Sequence, residues 1–182
     1  LSVTTAVGVG AAVSAQESIG TPNTALAASS TPVADVVEEN GFQFDKSTGT
    51  ITDYTGNETG TLTIPSSIDG VTVTSIKSYA LGSSKMKEVV IPNTIETLGF
   101  GVFQMCSSLE KVTFESGSKV TELKDSMFYQ CTKLKEVVFP ENLKSIKVLA
   151  FYKCTGLETV TLPEGFTTLY NAAFLDCTKL KT

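Results

Sequence analysis

Histidine, arginine and tryptophan are absent from this 182-residue chain. Without histidine there is no imidazole to act as a general base near neutral pH or as a metal ligand. Ser/His/Asp and Cys/His catalytic sets are therefore excluded. No G-x-S-x-G, Walker or G-x-G-x-x-G stretch occurs, so neither a nucleophile elbow nor a nucleotide or other cofactor cradle is expected. All 14 cationic residues are Lys, and they form no basic stripe. Nucleic acid is not an expected partner, because its phosphates demand such a stripe. Glu38 and Glu39 are adjacent in sequence, and the remaining acids mostly alternate with Lys. Neither arrangement offers the two differently tuned carboxyls of a glycosidase, so the chain reads as non-catalytic. Asn57-Glu58-Thr59 fits a glycosylation sequon, but so short a pattern arises often by chance.

Charge is unevenly spread. Residues 1–72 carry one Lys and eight acids, and residues 73–182 carry 13 Lys and 11 acids, which gives −7 and +2 and sums to the formal −5. The first 15 residues, "LSVTTAVGVGAAVSA", are uncharged and end in Val13-Ser14-Ala15, the small-x-small pattern of a signal-peptidase site. They read as the remnant of a secretory signal peptide; a mobile Ala/Thr/Gly tail is the alternative. They fall short of the ~20 residues a bilayer span needs, so no mature transmembrane helix is expected. Residues 16–40 mix Ala, Ser, Thr and Pro without an aromatic residue or a sustained period, and read as a disordered linker. From Phe42 the pattern changes. "GFQFDKSTGTITDY" (41–54) places Phe42 and Phe44 before a Lys-Ser-Thr-Gly turn and Ile51 and Tyr54 after it, which predicts a β-hairpin.

The rest of the chain repeats. Cys106, Cys131, Cys154 and Cys177 are 25, 23 and 23 residues apart, and other columns move with them. A Phe stands three residues before each Cys (103, 128, 151, 174), a Leu three after (109, 134, 157, 180), and an aliphatic residue five before each Phe (98, 123, 146, 169). Within "LKEVVFP" (134–140) and "LETVTLP" (157–163) the apolar positions spell L-x-x-L-x-L, the strand of a leucine-rich repeat, with the residue between the last two pointing outward. Residues 75–92 are a copy with Leu81 in place of Phe and Ser in place of Cys, and 61–68 a degenerate first coil. Coils of this length cannot bury an apolar face alone; stacking makes each column a continuous ladder. The predicted architecture is a repeat solenoid of about 23 residues per coil. A parallel β-sheet forms one face, irregular or short helical segments form the other, and residues 41–72 supply an N-terminal β cap. The repeats occupy 73–182 and stop in mid-repeat at "CTKLKT", so truncation is expected.

Four cysteines in a secreted chain raise disulfides as one reading. Equivalent Cβ atoms on neighbouring coils would lie about 4.8 Å apart, where a disulfide prefers about 3.8 Å, so buried free thiols are expected instead. A linear ladder also cannot close a tetrahedron around a metal, and no metal or other cofactor is expected. Exposed strand positions carry a second regularity. One column reads Lys87, Glu110, Lys135, Glu158, Lys181 and the next Glu88, Lys111, Glu136, Thr159, Thr182, so signs alternate from coil to coil. In an in-register stack each Lys gains Glu neighbours, which explains the column as register support worth roughly 0.2–1 kcal/mol per pair. Beyond it lie Val90, Thr113, Val138 and Thr161, with Glu115 where other coils have Pro. Simple β-propensity accounts for these residues, and so does a flat floor across which a partner could lie. The candidate binding face is accordingly Lys87, Glu88, Val90, Lys111, Thr113, Glu115, Glu136, Val138, Thr159 and Thr161.

The columns resemble the BspA-like leucine-rich repeat, L-x-x-V-x-I-P-x-x-I-x-x-I-x-x-x-A-F-x-x-C, over residues 61–182. "LETVTLPEGFTTLYNAAFLDC" (157–177) follows it nearly throughout. Departures are Leu81 with Ser in the first full copy, and "FESGSKV" (114–120), which replaces Pro and adds two residues. The resemblance implies a bacterial surface or secreted protein, in a family whose members include adhesins for host extracellular proteins or other cells. The expected function is thus recognition of a protein or glycan partner by a monomeric array. A structural spacer, or an accessory region for a module beyond residue 182, is the alternative.

Overall fold

The computed structural model describes residues 35–181. The signal-peptide remnant and all but the last few linker residues lie outside that range. Those last residues are not linker. Val36–Glu39 form strand β1, which pairs antiparallel with β2 (Phe42–Asp45), and β2 pairs antiparallel with β3 (Thr50–Tyr54). The cause is local: Asn40 and Gly41 both take positive φ (50° and 82°), the geometry of a tight hairpin turn that Asn-Gly supplies at little steric cost. Val37 then packs on the core. The cap is therefore a three-stranded meander beginning ahead of residue 41.

From the cap onward the chain winds as a solenoid. On one face β4 (Thr61–Thr63), β8 (Glu88–Ile91), β10 (Lys111–Phe114) and β12 (Glu136–Val138) pair in parallel, each in register with the next: Leu62, Val89, Val112 and Val137 lie opposite one another. Between the first two coils, β5 (Ser67–Ile68) and β6 (Val71–Thr72) make a small hairpin around Asp69-Gly70. A second, two-residue-wide ladder runs along the side of the stack. There β7 (Ser75–Ile76) joins β3 to β9 (Thr97–Leu98), and β11 (Glu122–Leu123), β13 (Ser145–Ile146) and β14 (Thr168–Leu169) continue it as a separate sheet. The break falls at the two-residue addition in "FESGSKV". Val120 and Leu123 nonetheless remain buried, so the insertion costs backbone pairing but not the core columns.

No helix occurs among the described residues, which corrects the expectation of short helical segments opposite the sheet. Turns take their place, and they hydrogen-bond from coil to coil. Leu81 N–H donates to Val102 O (3.1 Å), Phe103 to Met127 O (3.0 Å), Phe128 to Ala150 O (2.7 Å) and Phe151 to Ala173 O (2.8 Å). Holding that geometry requires two left-handed residues per coil, at Tyr79/Ser83, Gly101/Met105, Ser126/Gln130, Leu149/Lys153 and Ala172/Asp176. Such a backbone cannot be a helix. Only one of these positions is glycine, so the others carry Cβ strain of ~1–2 kcal/mol. Ser126→Gly, which copies Gly101 of the preceding coil, should stabilise the fold by about 0.5–1 kcal/mol after glycine's entropic cost is subtracted. A urea midpoint at or below that of the parent chain would refute this.

Inside, the Phe column is a stack. Ring centroids of Phe103 and Phe128 lie 5.5 Å apart, Phe128 and Phe151 5.1 Å, and Phe151 and Phe174 4.9 Å. Behind it runs a thiol ladder. Each Sγ donates to the carbonyl of the Phe-column residue one coil earlier: Cys106 to Leu81 (3.1 Å), Cys131 to Phe103 (3.0 Å), Cys154 to Phe128 (3.1 Å) and Cys177 to Phe151 (3.0 Å). The cysteine thus fills a small apolar site and adds a second donor to a carbonyl that already accepts a backbone N–H within its own turn, as Phe128 O does from Cys131 at 3.1 Å. Burial pushes the thiols of Cys131, Cys154 and Cys177 up, which keeps them protonated and slow to react. In native protein at neutral pH a maleimide should label half-buried Cys177 first. Cys106, Cys131 and Cys154 should label only on unfolding, as peptide mass spectrometry would show.

Candidate functional site

The strand face is built by alternation. In each coil the inward residues (Val89 and Ile91, Val112 and Phe114) are buried, so the residue between them and the one before are forced outward. Register then aligns them across coils. Glu88, Lys111 and Glu136 form one column, and Val90, Thr113 and Val138 the next. Two members lay outside the sequence-based set: Thr61 pairs with Glu88 and Thr63 with Val90, extending both columns onto β4. The signal for them was available, since "TLTIP" (61–65) aligns with "EVVIP" (88–92). Lys87 lies just before β8, exposed. Glu115 lies just after β10, where its carboxylate accepts the backbone N–H of Asn93 at 3.2 Å and so stays at the rim.

Thr159 and Thr161 depart from expectation. Residues 158–162 are not a strand and have no register partner on β12, so the sheet ends at Glu136–Val138. On its other side Glu136 pairs with Lys111 (3.0 Å). A cleft of about 400 Å³ lies beyond β12 instead, lined by Lys135–Phe139 and Glu141 on one side and by Thr159 and Thr161–Pro163 on the other.

The ion pairs are asymmetric. Lys135 reaches Glu110 at 2.6 Å and Lys181 reaches Glu158 at 3.5 Å; among the described residues Lys135, like Lys111, engages one neighbouring coil and not both. The hydrogen bond from Lys135, reinforced by its charge, holds the Glu110 carboxyl below the usual carboxylate range. A parallel cluster on the side ladder lowers Glu122 by a hydrogen bond from Lys124 and a further one from Lys147. These depressed acids support the fold above the ordinary glutamate pKa, and that support fades as pH falls through their lowered values. Because the face is charge-paired and lies in water, it offers shape and β-branched surface more than a field. Among the described residues no group of His, Cys, Asp and Glu is placed to hold a metal ion, and no helix is long and apolar enough to cross a membrane.

Comparison with known proteins agrees with this geometry. The family model described as the BspA type leucine-rich repeat region matches residues 43–181 in six copies. A leucine-rich repeat protein of T. pallidum has a similar structure, with 27% identity and a TM-score of 0.70, over 79% of this chain and 68% of that one. One from Bacteroides ovatus is 29% identical with a TM-score of 0.60, over 80% of this chain and only 37% of its own length. No curated protein matches the sequence significantly. With the model spanning most of the chain and the same coils in the solved relatives, the chain belongs to the BspA-type leucine-rich-repeat family.

Proposed function

We propose that the chain is a non-catalytic recognition module, secreted or displayed at the bacterial surface, that binds a protein or glycan partner across its strand face. One observation carries this reading: Thr61, Thr63, Glu88, Val90, Lys111, Thr113, Glu136 and Val138 form two outward columns in unbroken register over four coils. Such a floor is flat, rigid and β-branched, and its residues are not needed to fill the core. Rigidity matters because a partner then meets a surface already ordered, which lowers the entropic cost of association. The family and its solved relatives, all repeat proteins, fit either recognition or support, so the face itself has to decide.

The test is binding of the full chain to immobilised extracellular-matrix proteins and to a glycan array. Saturable binding that is competed by the free chain would support recognition. Absence of binding across both panels, with the chain folded, would sink it in favour of a spacer that holds another module.

A further inference from the structure

The sheet stops one coil before its columns do, and the reason lies in a seam. Among the described residues no backbone hydrogen bond joins 135–139 to 158–162. Every earlier coil makes such bonds at its entry: Lys87 N–H to Gly60 O, Glu110 to Lys87 O, Lys135 to Glu110 O. The next one also does, from Lys181 to Glu158 O at 3.0 Å. Coils on both sides of the seam stay joined elsewhere. Thr155 Oγ1 donates to Thr132 O at 3.2 Å just before the segment, and Thr167 N–H donates to Lys144 O at 2.9 Å just after it. The segment 158–162 is thus a short strap anchored at both ends and free in the middle.

Its side chains are those of a docked strand. Val160 and Leu162 occupy the inward columns filled by buried Val89 and Ile91, or Val112 and Phe114, yet Val160 is only partly buried and Leu162 is 37% exposed. Val137 and Phe139, inward in their own coil, are only partly buried. Apolar surface and unpaired peptide groups therefore confront each other across the cleft. Both would be satisfied by the register already present in the earlier coils: Glu136 beside Thr159, Val137 beside Val160, Val138 beside Thr161. Charge does not oppose that pairing, because Thr61 already lies beside Glu88 in β4 as Thr159 would beside Glu136, and Lys135 would stand beside Glu158.

We infer that residues 158–162 are a strap poised to close onto β12, so that the chain alternates between a four-stranded face with an open cleft and a five-stranded face without one. Closing buries Val137, Val160 and Leu162 and brings Thr161 into line with Val138; opening exposes them. This inference concerns the free chain and stands whether or not the strand face binds a partner.

Backbone amide exchange on the full chain, read residue by residue by NMR, tests it in Thr159→Lys and Thr159→Glu. On the closed face residue 159 lies beside Glu136, so lysine favours closing and glutamate opposes it. The Thr161 amide should exchange about threefold to tenfold more slowly in Thr159→Lys than in Thr159→Glu, the size expected for one cross-strand pair made attractive or repulsive. Amides of Thr113 and Val138, in strands already paired, should be unchanged and report that the fold is intact. Equal exchange at Thr161 in the two variants, whether fast in both or fully protected in both, would overturn the alternation.

Discussion

Phe151→Ala should destabilise the chain by about 3–5 kcal/mol, the range for emptying a fully buried aromatic site. Phe151 is 0% exposed and stacks on Phe128 at 5.1 Å and Phe174 at 4.9 Å, with Phe139 edge-on at 6.0 Å. Three rings therefore lose their partner at once. The backbone offers no escape, because its N–H is bonded to Ala173 O and its carbonyl accepts the Cys177 thiol, bonds that hold the turn in place around the void. Partial collapse is limited for that reason, and the cost should lie near the top of the range. Phe174→Ala is the internal control: Phe174 is only partly buried, so its truncation should cost distinctly less. Urea unfolding of both variants measures the difference, and a Phe151→Ala loss under 1 kcal/mol would show that the stack is not a stabilising spine.

Those rings also show why so much of the fold was legible. A column that recurs at fixed spacing must point the same way in every coil, so periodicity alone placed Phe103, Phe128 and Phe151 inside and Lys111 and Thr113 outside. What periodicity cannot see is where a column changes its hydrogen-bond partner. The turns opposite the sheet contain ordinary residues such as Leu149 and Lys153 in left-handed geometry, which no propensity foretells, so the sequence left irregular and short helical segments open; they are irregular turns, without helix. The strand β1 was missed differently. Its Val36-Val37 pair follows a Pro- and Ala-rich stretch, and the turn that locks it, Asn40-Gly41, is a strong hairpin signal that lay at an assumed boundary. At the candidate site, alternation correctly placed Glu88, Val90, Lys111, Thr113, Glu136 and Val138 on one face. It also placed Thr159 and Thr161 there, because a sequence column continues even where the backbone ladder does not.

Thr113→Arg should abolish most recognition while leaving the fold intact, if the strand face is where a partner lies. Thr113 sits between Val90 and Val138 at the middle of the outward columns, flanked by coils on both sides. A long charged side chain there stands up from the floor and holds water that a docking surface would have to remove. Loss of a central contact of this kind typically costs about 2 kcal/mol or more, roughly a 30-fold weakening. Stability should move by less than about 0.5 kcal/mol, because the position is solvent-facing and the β-strand accommodates arginine. Lys77→Ala, at an exposed position outside the four-stranded sheet, is the matched control and should bind as the parent chain does. The comparison separates three cases by one titration per variant. Weakening confined to Thr113→Arg places the partner on the strand columns. Weakening in Thr113→Arg with an opposite change of similar size in Lys77→Ala points to a diffuse charge effect, since the variants shift net charge by +1 and −1; the paired lysines and glutamates of this face argue against it. Undiminished binding in both would move the partner to the turn side of the solenoid, where Tyr129 and Tyr152 stack at 4.8 Å.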